Sequence, residues 1–288
     1  MFGPELLCLP PLAWWLLNRA IRRGLRAPRL ARPVLPPGLP AELVSLPTVN
    51  GKTLRGWFVA GAPPARIVVL MHGWGGNAAT LLPLAEPLAR AGYGLLMVDA
   101  RCHGDSDGDS FASLPRFAED IEACLEWLAA RPGLAPAGVA LAGHSVGAGA
   151  ALLVASRRPG LRAVLSLAAF AHPAPLMRRW LAALRIPYRP LGAYIVAYVE
   201  RTIGRRFDDI APVRTIRDVA CPVLLVHGDA DVTVPPAEAR EILAAAGGHA
   251  ELLMVAGSHD DFGDVEAHLP TLLAFFECAF ADEKKAGD

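Results

Sequence analysis

Short, uninterrupted apolar runs, each followed by a stretch of helical periodicity, recur along this chain and narrow what it can fold into. Ile67–Met71 reads IVVLM and Gly94–Val98 reads GLLMV; Val139–Ala142, Leu161–Leu167, Val223–Val226 and Leu252–Val255 have the same character. A strand without polar alternation is buried on both faces, which is the situation in a parallel sheet covered by helices. Helical patterns fill the intervals at about 78–91 (ended by Gly92), Pro115–Arg131, from Val146 onward, Pro236–Ala246 and Glu266–Ala281. The expected class is α/β, with a mostly parallel central sheet and helices on both faces. Leu43–Val49 and Leu54–Val59 alternate around Asn50-Gly51, so an antiparallel hairpin is expected on one edge of that sheet. There is no internal repeat.

Composition narrows the function classes. The chain has 288 residues, 53% of them hydrophobic, and 28 basic against 28 acidic side chains. That is a globular chain with a large core, and its balanced charge offers nothing to attract nucleic acid. The five cysteines are scattered and form no C-x-x-C pair. This pattern speaks against a disulfide framework and a zinc site, and for a reducing, cytoplasmic setting. No cofactor is expected.

The N-terminal 40 residues stand apart. Leu6 to Leu17 is apolar but interrupted by Pro10-Pro11, and Arg19, Arg22, Arg23, Arg26, Arg29 and Arg32 follow it. The run falls short of the roughly 20 residues a spanning helix needs. Its charges also lie on the wrong side for a secretory signal. Three readings stand. Residues 5–32 lie in the interface of the inner membrane face, with Trp14 and Trp15 among headgroups and the arginines toward anionic lipid; or they cover an apolar patch of the protein's own fold; or they precede the true start of translation. Residues 27–40 are Pro-rich and read as a linker or extended lead-in. The main domain is expected at 41–282, with a polar tail at 283–288. Pro132–Ser156 lacks any Asp, Glu, Lys or Arg; its central glycines read as a buried strand, a sharp turn and a buried helix. Pro173–Asp209 breaks the β–α alternation with two helices near Met177–Leu184 and Tyr194–Ile203, which read as a lid or as an ordinary connector.

Chemistry concentrates at Gly143-His144-Ser145-Val146-Gly147, between the strand VALA and an apolar helix. A strand-to-helix turn this tight strains the serine backbone, demands little bulk two residues to either side, and raises the hydroxyl above the sheet. A serine hydroxyl needs a base, and the base an orienting acid. Of the later histidines, His249 precedes the last strand and His268 lies in the final helix. His259 follows that strand and so shares a sheet edge with Ser145. The strand PVLLV leads to Asp229 and Asp231; Asp231, further along the loop, is the better placed acid, and Asp229 suits a turn cap. Backbone amides for a developing oxyanion are expected from Val146 and from Trp74 in the loop His72–Asn77. His72, His103 and His144 read as structural hydrogen-bonders beside the site.

The ordered set HGWGGN, the D-x-R-x-H-G-x-S segment from Asp99 to Ser106, GHSVG, HGDADVTVP and GSHDDF resembles the α/β-hydrolase superfamily over about residues 43–282. Its serine-aminopeptidase-like and dienelactone-hydrolase-like branches look nearest. The resemblance implies Ser145 as nucleophile, Asp231 as acid, His259 as base, and Trp74 and Val146 as oxyanion amides. It implies a small acyl substrate whose carboxylic ester or thioester is cleaved through an acyl-enzyme; a lid together with the apolar N-terminus would point to a hydrophobic acyl group. An acyltransferase shares that machinery; a peptidase or a non-catalytic membrane-associated binding protein are the other readings. Cys102 departs from the glycine often found at its position.

Overall fold

Asn50 and Gly51 take φ values of 60° and 63°, as a type I′ hairpin turn requires. The Lys52 amide donates to the Val49 carbonyl to close it. This turn joins β1 (Ala41–Thr48) to β2 (Lys52–Val59) in antiparallel register. The computed structural model describes residues 11–31, 35, 38–63, 65–131, 134, 138–261 and 265–281. The start of the N-terminal segment, parts of its Pro-rich continuation and the tail at 283–288 lie outside the described residues.

The remaining strands are β3 (Arg66–Met71), β4 (Gly94–Val98), β5 (Gly138–His144), β6 (Leu161–Leu167), β7 (Val223–Gly228) and β8 (Ala250–Val255). β4 pairs antiparallel with β2, and β3 to β8 are mutually parallel. The eight-stranded order is β1-β2-β4-β3-β5-β6-β7-β8. The mostly parallel sheet with an edge hairpin is therefore as expected from the sequence. The helices are α1 (Pro11–Gly24), α2 (Leu82–Arg90), α3 (Leu114–Ala130), α4 (Val146–Ala155), α5 (Pro173–Ala183), α6 (Ala193–Ile203), α7 (Phe207–Ile210), α8 (Pro212–Thr215), α9 (Pro236–Ala245) and α10 (Val265–Ala281).

Alternate side chains of each strand enter two separate cores. Ile67, Val69 and Met71 of β3 belong to the core that α3, α4 and α9 cover on one face; Val68 and Leu70 belong to the core that α2 and α10 cover on the other. Each such fully buried side chain contributes roughly 1.5–3 kcal/mol, so both halves of an apolar run are used. β3 and β5 are neighbours, yet the helices that follow them, α2 and α4, lie on opposite faces. The crevice above their carboxyl ends is thus a switch point, where open α/β sheets bind ligands.

Several details differ from the sequence reading. α5 begins at Pro173 rather than near Met177, because the His172 imidazole accepts the Ala174 amide at 3.1 Å and caps the helix there. The short helices α7 and α8 carry no periodicity long enough to be read. Pro132–Ser156 contains β5, the Ser145 turn and α4, and no helix among the described residues is long and apolar enough to cross a membrane.

Over its described part, the N-terminal segment packs on the fold. Leu17 and Ile21 join the core. The Tyr194 hydroxyl donates to Asn18 Oδ1 at 2.7 Å, the Arg22 guanidinium donates to the Tyr198 hydroxyl at 2.7 Å, and the Ala112 amide donates to the Leu25 carbonyl at 3.1 Å. Beyond α1, the Leu30 and Ala31 carbonyls accept from the Asn77 side chain, which lays the lead-in across the His72–Asn77 loop.

Below that loop sits a buried charge network. Arg101, 1% exposed, donates from Nε to Asp120 Oδ1 at 2.7 Å and from its amide to Asp120 Oδ2 at 2.8 Å. Thr48 donates to the same carboxylate from β1, and Glu119 takes a second guanidinium nitrogen at 2.5 Å. The network ties the segment after β4 to α3 and to the hairpin. Removing Asp120 takes away the partner of Arg101 Nε and of its amide and leaves the buried guanidinium with Glu119 and Asp109 on its other nitrogens, so Asp120→Ala is expected to lower unfolding free energy by about 3 kcal/mol in denaturant titration. A loss below about 1 kcal/mol would show that the guanidinium finds water instead.

Candidate active site

β5 runs straight into Ser145 and α4 starts at the next residue. Reversing direction in so few residues puts Ser145 at φ 53°, ψ −115°, a conformation that costs a non-glycine residue about 1–3 kcal/mol. The close packing explains both glycines. A Cβ on Gly143 would stand 2.4 Å from the Gly147 carbonyl oxygen, and one on Gly147 would stand 2.4 Å from the Met71 and His72 carbonyl oxygens of the neighbouring strand end. The Ser145 amide donates to the Leu167 carbonyl at 2.8 Å, fixing the turn to β6.

The loops after β7 and β8 bring Asp231 and His259 to the same edge. His259 Nε2 lies 3.0 Å from Ser145 Oγ, and its Nδ1 lies 2.7 Å from Asp231 Oδ2. The two loops brace each other: the Ala230 amide donates to the Gly257 carbonyl at 2.9 Å, and the Gly257 amide to Asp229 Oδ1 at 3.2 Å. Asp229 is thus a backbone anchor, as its sequence position suggested. Asp231 is buried and accepts the Thr233 and Val234 amides on Oδ1 at 2.9 and 2.8 Å. Burial opposes its charge, but the hydrogen bonds from His227, His259 and the Val234 amide outweigh it and hold the carboxyl well below the usual range. His227 is a contributor the sequence did not single out; its Nε2 lies 2.8 Å from the Val234 carbonyl and 3.3 Å from Asp231 Oδ2.

Opposite the serine runs the His72–Asn77 loop. A Cβ on Gly73 would stand 2.8 Å from His144 Nδ1 and 3.3 Å from Ser145 Cβ, so this glycine lets the backbone leading into Trp74 pass against the serine. Val146 begins α4, whose first amides face the same space with the positive end of the helix dipole. His72 Nε2 accepts the Ala100 amide at 2.9 Å and its Nδ1 donates to the Gly73 carbonyl at 2.7 Å. Burial, then the nearby His103, takes its pKa down to about 3. Burial also lowers His103 and His144, whose ring nitrogens donate to the carbonyls of Arg101 and His259. All three are neutral supports of the loops around Ser145, in the role expected of them. Cys102 sits at φ 69°, which explains why glycine suits that position.

Ser145 and Val146 open into a cavity of about 400 Å³ to whose walls no charged side chain among the described residues contributes. Leu176 and Leu181 of α5, Ile195 and Val199 of α6, and Leu17 and Ile21 of α1 line it, and Trp74 stands near the serine. The Arg179 guanidinium meets Glu238 Oε1 at 2.6 Å, and the other Glu238 oxygen accepts the Ala171 amide at 2.8 Å; this pair holds the start of α5 against α9. Neither Glu238 nor the lining role of α1 could be read in advance, since each acts on residues distant in sequence.

Residues 62–197 match the family described as serine aminopeptidase, S33. The chain is 29% identical over 236 residues to the uncharacterized protein Rv2307c of Mycobacterium tuberculosis, covering 80% of this chain and 75% of that one. A shorter stretch of 93 residues is 38% identical to the sn-1-specific diacylglycerol lipase ABHD11 of Mus musculus, 32% of this chain and 28% of the relative. Among solved structures, the Pyrococcus furiosus esterase Pf2001 superposes with a TM-score of 0.72 at 20% identity, covering 88% of this chain and 97% of the other.

The backbone strain at position 145 can be measured directly. Ser145→Gly is expected to be more stable than Ser145→Ala by about 1 kcal/mol, the relieved strain exceeding glycine's entropic cost. Equal melting temperatures for the two variants would contradict a strained turn.

Proposed function

We propose, from the premise that this chain belongs to the α/β-hydrolase superfamily and is a hydrolase, that it cleaves carboxylic esters or thioesters of apolar acyl groups through an acyl-enzyme on Ser145. The observation that carries this reading is the hydrogen-bonded chain Asp231–His259–Ser145 opening into an uncharged cavity. His259 Nε2 takes the Ser145 proton as Oγ attacks the acyl carbon, and Asp231, held ionised, fixes the ring with Nδ1–H toward itself and stabilises the imidazolium that forms. The Trp74 and Val146 amides stabilise the tetrahedral oxyanion. His259 then hands the proton to the departing alcohol or thiol. Water, deprotonated by the same nitrogen, releases the acid.

The cavity favours an acyl chain over a peptide amine. An aminopeptidase must neutralise an ammonium group, and no carboxylate among the described residues lines the cavity. α5 and α6 cover the site in the manner of a lid, so water is excluded around the acyl group.

A fluorophosphonate probe should label the wild-type protein and leave Ser145→Ala unlabelled. Across p-nitrophenyl esters, kcat/KM should rise from acetate to hexanoate by roughly a hundredfold, since each buried methylene contributes about 0.8 kcal/mol. A preference for acetate would refute the apolar acyl reading. Asp231→Asn should lower kcat by about ten-thousandfold with labelling slowed in step, because the amide selects the wrong imidazole tautomer. Because its hydrogen bonds hold Asp231 ionised far below neutrality, the protonation of this carboxylate should add no step to the rate profile at mildly acidic pH. A step there that disappears in Asp231→Asn would place Asp231 in the titration.

A further inference from the structure

α1 presents two different faces. Leu17, Ala20, Ile21, Gly24 and Leu25 recur at the three- and four-residue spacing of one helical face and line the acyl cavity. The other face, with Trp14, Trp15, Asn18, Arg19, Arg22, Arg23 and Arg26, forms with Tyr194, Tyr198 and Arg201 of α6 a separate groove of about 720 Å³. Five arginines line that groove, and no acidic side chain among the described residues does. None of the five is ion-paired among the described residues; Arg22 is held by the Tyr198 hydroxyl, and Arg19 lies over the Trp15 ring at 5.4 Å. In a chain of zero net charge, five uncompensated guanidinium groups in one groove are a local field with one sign.

At the amino end of the same helix, four large apolar side chains face solvent. Leu12 is 67% exposed, Trp14 49%, Trp15 52% and Leu16 51%. Trp180 and Leu184 of the α5 end, which also line the acyl cavity, are 45% and 70% exposed. Neither group of residues by itself identifies an occupant. Together they do: apolar and indole side chains beside unpaired guanidinium groups match the acyl–headgroup boundary of an anionic bilayer, with tryptophan at headgroup depth and arginine on phosphate. Guanidinium suits phosphate because its planar fork offers paired donors.

We infer that the α1–α6 surface docks on an anionic phospholipid bilayer, with Leu12, Trp14, Trp15 and Leu16 entering the acyl–headgroup boundary and Arg19, Arg22, Arg23, Arg26 and Arg201 holding lipid phosphates. Over its described residues α1 is too short and too charged to span, so the proposed attachment is peripheral. The consequence for the site follows from the two faces of one helix. A lipid phosphate in the groove lies one helix diameter from the cavity above Ser145, so an acyl chain can pass from the bilayer into that cavity beside α1.

The test reads binding without turnover, so it stands or falls separately from the hydrolase reading. The purified full-length chain, as Ser145→Ala, is mixed with phosphatidylcholine vesicles, or with phosphatidylcholine vesicles containing phosphatidylglycerol, and floated on a gradient. Binding to the anionic vesicles only, weakening as salt is raised, with a blue shift of tryptophan emission, is the expected result. Arg19→Gln/Arg23→Gln/Arg26→Gln should weaken it about a hundredfold. Arg90→Gln/Arg157→Gln/Arg240→Gln, which removes as many exposed arginines elsewhere, should leave it unchanged. Trp14→Ser/Trp15→Ser should abolish the emission shift and reduce binding; all variants are compared at matched melting temperature. Equal binding to both vesicle types, no binding, or an effect of the control triple as large as that of the α1 triple would overturn the proposal. So would calorimetric binding of glycerol 3-phosphate in the groove by a protein that ignores vesicles, since the groove would then take a soluble phosphate.

Discussion

Where α4 enters beneath Ser145, it passes so close to the end of β3 that a single methyl group on Gly147 would overlap the Met71 and His72 carbonyls. That approach is what the rest of the site is arranged around. It forces the reversal after β5 into five residues, which puts Ser145 in a left-handed conformation and aims its hydroxyl away from the sheet. It also brings the start of α4 beside the His72–Asn77 loop, so segments that follow two different strands meet at the serine. Without the close approach, the serine would be an ordinary first-turn residue of a buried helix.

The surroundings of that volume are electrostatically quiet except where the chemistry needs charge. His72, His103 and His144 are buried and neutral, each donating from one ring nitrogen to a backbone carbonyl. Asp231 is the exception, with its charge sustained by amides and two imidazoles. Arg101 and Asp120, also buried, serve the frame, joining the segment after β4 to α3 and the hairpin. Above the serine the walls turn largely apolar, and one of them is α1. A segment that sequence composition sets apart as a candidate anchor thus contributes both to the cavity above Ser145 and, through its opposite face, to the proposed bilayer contact. The two readings of that segment are compatible because a helix has more than one face.

Most of the sheet was legible because burial on both faces leaves a signature within a single strand: IVVLM and GLLMV need no partner to be recognised. Ser145, His259 and Asp231 were legible for a related reason. Each lies just beyond the carboxyl end of a parallel strand, and parallel strands place those ends along one edge, so chain order alone was enough to bring them together. The start of α5 was misjudged because its cap is a histidine whose imidazole stands in for the usual hydroxyl or carboxylate. α7 and α8 are single turns, too short for periodicity to register.

Residues whose role depends on a partner far along the chain escaped the sequence reading. Asp120 looks like one acid among several on an amphipathic helix until Arg101 is folded against it. Glu238 looks like a solvated helix residue until Arg179 and the Ala171 amide reach it. Leu17 and Ile21 are apolar in any reading, but which surface they cover is a matter of docking. From the sequence alone came the element order, the parallel sheet, and the residues at its carboxyl edge, because these follow from local patterns and from the direction of the chain. Only the tertiary structure decided the shape and polarity of the cavity, the ionised state of Asp231 and the placement of α1, because each depends on which side chains meet in space, and burial and charge compensation have no local signature.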